Sequence, residues 1–263
     1  MSKNIRFFSI FILGFVIYYF FDLFYFKSIQ HFTGELFHSK AIAHALAYTV
    51  TLIPIITTLK VLFPKKKILD LLSLHQSAAK AFIIPFIGTL PMLIGYAAHF
   101  KTIKTINFDS LFINTVSSAF FEELIFRAFL IGTLYRFTRL GFFSSILLGS
   151  LLFAQVHLYQ SQNTIELFEI FTITFLGSIF FTWVYFEQDF NIWTAVFLHF
   201  FMNLYWEIFN VSENVSGNLY GNLYKVLSII LIISLIVYDK KKKKRPFVIT
   251  GKSLFIKSKE VHS

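Results

Sequence analysis

The chain has 263 residues, 56% hydrophobic and 20% aromatic against 14% charged, with a net charge of +10 and a mean hydropathy of +0.66. That balance excludes an ordinary water-soluble domain, and several runs approach the roughly 20 apolar residues that cross a bilayer. Cysteine is absent, which excludes disulfides, thiolate metal sites, a cysteine nucleophile and S-acylation.

Eight apolar runs are expected, giving an all-α polytopic membrane bundle. The first, about 7–26, follows Lys3 and Arg6 and lacks a small-residue cleavage site, so it reads as an uncleaved span with Asp22 as an interfacial acid. The second, about 41–63, contains Pro54 as a kink and is closed by Lys65, Lys66 and Lys67. The third, about 81–100, carries Pro85 and Pro91. The fourth, about 108–134, holds Phe120-Phe121-Glu122-Glu123-Leu124-Ile125-Phe126-Arg127 and ends before Arg136 and Arg139. The fifth, about 142–158, is short. The sixth, about 165–186, turns at Glu187-Gln188-Asp189 into the seventh, about 190–209. A polar loop, about 210–222, precedes the eighth run, about 223–238, which stops at Lys240 to Arg245. The tail beyond Pro246 reads as basic and peripheral.

The basic residues flank apolar runs, so anionic lipid headgroups, and not nucleic acid, are the expected partner. Their bias places both termini on the cytoplasmic side of a cell membrane.

The chemistry concentrates in the fourth run. A charge inside a bilayer costs about 3 kcal/mol on insertion scales, so an acid pair and an arginine at that depth must pair, line a wet cavity or react. Glu123 and Arg127 are four apart, acid first, the favourable order for a pair on one helix face. Glu122 points about 100° away from Glu123, free to face a cavity. An ion-pair cluster that only fixes packing accounts for the acids equally well. Other runs supply partners: His157 in Phe153-Ala-Gln-Val-His157, and His199 with Asn203 stacked four residues apart on one face. At a rise of 1.5 Å per residue, Glu122, His157 and His199 lie about 20, 22 and 14 Å from the cytoplasmic ends of their runs, close enough to share a layer.

Glu122-Glu123-xxx-Arg127, Phe153-xxx-His157 and His199-xxx-Asn203, in that order, resemble the three motifs of the CPBP family of intramembrane proteases. That family includes the type II CAAX prenyl endopeptidases and the bacterial Abi, or bacteriocin self-immunity, proteins. The resemblance covers about 107–210. It implies a catalytic core there, with 1–106 as helices without a motif, 211–245 as a loop and last span, and 246–263 as the tail. By position, Glu122 and His157 would activate water, and His199 and Asn203 would steady the developing oxyanion. Glu123, Arg127 and Phe153 would support the geometry. A metal reading stands beside this one: Glu122, His157 and His199 have the donor types of a catalytic zinc with one position left for water. The resemblance is compatible with no required cofactor or with a zinc ion. The expected substrate is a membrane-associated peptide or protein. Two other readings use the same residues: a non-catalytic immunity or peptide-binding protein, and a transporter with a proton-relay glutamate, which predicts acids spread along a path and broken helices in paired halves, whereas the polar residues here converge on one layer and no repeat is visible.

Overall fold

The computed structural model describes residues 2–257; the end of the tail, 258–263, with His262, lies outside them. Every long element is a helix, and the sequence capped most of them. Side chains of Ser2, Ser39, Ser77, Asn107, Asn163, Asn191 and Asn218 each accept from a backbone N–H in the first turn of the helix that follows.

Helix α1, Lys3–Phe37, is about 52 Å long by its rise per residue, longer than a bilayer's hydrocarbon core of about 30 Å. It runs well past the expected end near residue 26. Asp22 is therefore in mid-helix, with one carboxylate oxygen buried and unpartnered, and is not the interfacial acid expected. Helix α2, Lys40–Thr51, breaks at Leu52 and continues as α3, Ile53–Leu62, with Pro54 in the first turn of α3. A single turn, α4 (Ile68–Leu71), leads to α5 (Ala78–Gly88) and α6 (Leu90–His99), which meet at a 42° bend. Pro85 and Pro91 flank that bend and remove backbone donors on either side of it.

The segment carrying the acid pair is helical from 108 to 137 but is not a regular α-helix. It consists of α7 (Phe108–Leu111), a π-helical stretch Phe112–Ser117, α8 (Ser118–Glu122), a second π-helical stretch Glu123–Ile131, and α9 (Gly132–Phe137). Long π stretches are rare and gather at functional sites. Glycine is required at 132, because a Cβ there would lie 2.6 Å from the Arg127 carbonyl oxygen that the wide turn brings underneath. Four more helices follow: α10 (Phe142–Val156), α11 (Thr164–Glu187), α12 (Ile192–Ile208) and α13 (Leu219–Lys242).

The bundle is polytopic and all-helical, as expected. Among the described residues five helical segments are long and apolar enough to cross a membrane, or six if the bent α5–α6 pair is one span, so length and composition alone do not reach the expected eight. The central 108–137 segment is too charged and too interrupted to join them, and α12 has only 17 residues. Its neighbours bury it: every residue from Glu123 to Ile131 is removed from the surface.

The tail is not peripheral over its described part. It folds back as a strap across one end of the bundle. Phe255 and Leu254 carbonyls accept from Gly141 and Phe143 at 2.7 and 2.8 Å, satisfying free N–H groups at the start of α10. Glu187, fully buried at the end of α11, pairs with Lys240 of α13 and accepts from the N–H groups of Val248 and Ile249. Lys257 reaches the Tyr135 carbonyl, and burial pushes its ammonium down to about 8. Arg245 ties Asp239 to Asp189 in the α11–α12 turn.

Candidate functional site

The central segment, α10, α11 and α12 meet around one buried charge. Glu123 has no exposed surface, and its Oε1 receives two partners: Arg127 at 3.0 Å and Nδ1 of His199 at 2.9 Å. The i,i+4 pair expected from the sequence is present, and His199 joins it as a third member. The Arg127 contact is charge pairing rather than an aligned hydrogen bond, since its Nη1 and Nε and the second Glu123 oxygen have no hydrogen-bond partner. The guanidinium is instead clamped between aromatic faces, 4.1 Å from the Phe153 ring centroid and 5.4 Å from that of Phe181. Such desolvated cation–π contacts replace part of the lost hydration.

Phe153 joins this layer to His157. Its ring lies 4.5 Å from the imidazole, and its carbonyl accepts from Nδ1 of His157 at 2.7 Å. His157 is the C-cap of α10, where the helix gives way to the short turn Leu158–Gln160. The bond to a carbonyl, which only accepts, fixes the proton on Nδ1 and leaves Nε2 as the basic nitrogen. Close approach of α10 to the central segment depends on Gly149, where a Cβ would lie 2.6 Å from Ile131.

Glu122 stands apart from the Glu123 cluster, as the helix geometry predicted. It is partly buried, and its Oε2 is enclosed without any hydrogen-bond partner. Asn203, one turn beyond His199 on α12, donates to the Asn114 carbonyl at 2.8 Å, and Asn114 donates on to Glu207 at 3.2 Å. Asn114 and Glu207 were not singled out from the sequence. Glu207, at the i+8 position from His199 on the same helix face, was legible there.

The metal reading finds no ligand set. Among the described residues no three His, Asp or Glu side chains are gathered closely enough to hold a metal ion. Nδ1 of His199 is turned to Glu123 and Nδ1 of His157 to the Phe153 carbonyl. The residues as placed do not fit a zinc ion.

Fold and site together define a helical membrane protein with an internal polar site: a paired carboxylate–guanidinium–imidazole cluster beside an unpaired carboxylate. Residues 106–205 match the family model of the Rce1-like type II CAAX prenyl endopeptidases, a segment that contains every motif position. The match bears out the resemblance to the CPBP proteases read from the motifs. No curated protein and no solved structure gives a match.

Proposed function

We propose that this protein is an intramembrane endopeptidase that hydrolyses a peptide bond in a membrane-associated peptide or protein with water activated by Glu122 and His157. The observation that carries the reading is the division of labour in the acid pair. Glu123 is paired through Oε1 with Arg127 and His199, whereas Glu122 has no ion-pair or hydrogen-bond partner at its buried oxygen and joins no ion pair among the described residues. A carboxylate whose only role was packing would be paired, because an unsatisfied buried polar atom is costly.

In this reading Glu122 takes a proton from the attacking water and later gives it to the leaving amine, while the basic Nε2 of His157 accepts the water's other hydrogen in a hydrogen bond. With Nδ1 of His199 bonded to Glu123, His199 donates to an oxyanion through Nε2 when both ring nitrogens carry protons. The second amide hydrogen of Asn203 is the other donor. Each oxyanion donor contributes about 3 kcal/mol to the transition state. Buried Glu123 and Arg127 fix the two donors relative to Glu122. Because no ligand set is gathered, cleavage by purified protein is expected to persist in EDTA and to stop in Glu122→Gln. Loss of cleavage in EDTA with recovery on adding zinc would overturn the metal-free form of the mechanism. Wild-type activity in Glu122→Gln would overturn the role of Glu122.

A further inference from the structure

Two helix faces carry a line of polar side chains away from the Glu122 layer. On α12, His199, Asn203 and Glu207 are spaced four apart on one face. On the central segment, Ser118 lies one α-turn before Glu122 and donates to the Asn114 carbonyl at 2.7 Å. The two faces are tied together along their length: His199 to Glu123 at 2.9 Å, Asn203 to the Asn114 carbonyl at 2.8 Å, and the Asn114 amide to Glu207 at 3.2 Å. Glu122, Ser118, Asn203 and Glu207 are half-buried and Asn114 is exposed, so the line is an open polar edge that starts at the reacting layer and ends at Glu207.

The fold does not use up the charge of Glu207. Its Oε1 accepts from the neutral Asn114 amide, and the carboxylate joins no ion pair among the described residues. The cations of this end are placed elsewhere. Lys225 lies 4.2 Å from the ring centroid of Trp206, the residue before Glu207, and donates to the Val215 carbonyl at 3.1 Å. Lys101 and Lys104 flank Ile103, whose N–H donates to the Ile208 carbonyl at 2.9 Å, yet neither pairs with Glu207. Glu207 is also the next-to-last residue of α12, where the negative end of the helix dipole disfavours an acid. Packing gives no reason for a charge at that position; a cation delivered from outside does.

We propose that Glu207 is a specificity-determining residue: its carboxylate receives a Lys or Arg side chain of the substrate. At 1.5 Å of rise per residue, Glu207 lies about 6 Å along α12 from Asn203 and about 12 Å from His199, the two oxyanion donors that fix the scissile carbonyl. An extended peptide covers that span in about two to four residues, which sets the distance of the basic residue from the scissile bond. The inference rests on the proposed protease function; the charge at the end of the polar edge does not.

The test incubates purified full-length protein in detergent with a library of chymotryptic peptides from a whole-cell lysate and reads the cut positions by mass spectrometry. Wild type is expected to enrich Lys and Arg about fivefold at one position near the cut, the effect of a half-exposed ion pair. Glu207→Gln is expected to lose that enrichment, and Glu207→Lys to replace it with Asp and Glu. Enrichment is a ratio within each digest, so a lower yield of folded variant leaves it unchanged. Wild type without basic enrichment, or enrichment that survives in Glu207→Gln, overturns the proposal. If neither variant folds, wild type decides alone: about 1 M salt must weaken the enrichment by screening the pair, and indifference to salt overturns the proposal. If wild type cuts no peptide, the protease reading fails and the peptides that co-elute with the protein decide. Basic peptides held by wild type and released by Glu207→Gln keep the cation subsite; equal retention overturns it.

Discussion

Arg127 sits where no water reaches it, held by one carboxylate and two aromatic rings. Removing it leaves Glu123 charged, buried and paired only with His199. Arg127→Met is therefore expected to lower folding stability by about 3–5 kcal/mol, the usual cost of breaking a buried pair from one side. Glu123→Gln/Arg127→Met, which removes both charges, is expected to recover part of that loss. Thermal unfolding in detergent measures both; equal stability of Arg127→Met and wild type would contradict a structural role for the pair. The pair was legible in the sequence because i,i+4 spacing is a local rule. Attachment of His199 to Glu123 rather than Glu122 was not, because it depends on how α12 rotates against a segment 76 positions away. Asp22 was misplaced for a related reason: the Phe-rich run gave no sign that α1 continues to Phe37.

At the scale of elements, Pro54 was the break read from the sequence, while the Ser and Asn caps that start most helices were not used there. The break between α2 and α3 falls two residues before Pro54, and the α5–α6 bend lies between Pro85 and Pro91. The π-helical stretches were not legible, since no composition rule marks them; Gly132 was the one local sign, meaningful only once the Arg127 carbonyl is seen beneath it. The strap was hidden as well. Its apolar residues, Phe247 to Ile249 and Leu254 to Ile256, form two short runs behind a stretch of lysines, and its hold comes from backbone groups and one buried ion pair. Glu187→Gln leaves Lys240 charged and uncompensated at the end of α13. That variant is expected to destabilise the protein and to speed hydrogen exchange at the Gly141 and Phe143 amides, which the strap caps. Wild-type protection at those two amides, in a strap-deleted protein ending at Lys244, would show that the strap does not hold α10.

Across the whole molecule, the segments that Lys and Arg bias assigned to one side do gather at one end. Arg136 donates to the carbonyls of Asp70 and Leu71, and Arg245 and Lys240 secure the strap there. The other end joins Asp109 to the start of α2, and the turn after His157 to the loop before α13. His157, at the far end of α10 from the strap, lies toward this second end. The central claim is that this layer cuts peptide bonds and does not merely bind peptides. The most direct measurement is a comparison of membrane-proteome peptide termini in cells lacking the protein, complemented with wild type or with Glu122→Ala/His157→Ala. New termini that appear with wild type alone are the predicted result. Identical termini in the two strains, with both proteins folded and present in the membrane, would contradict the claim and leave the layer as a peptide-binding site.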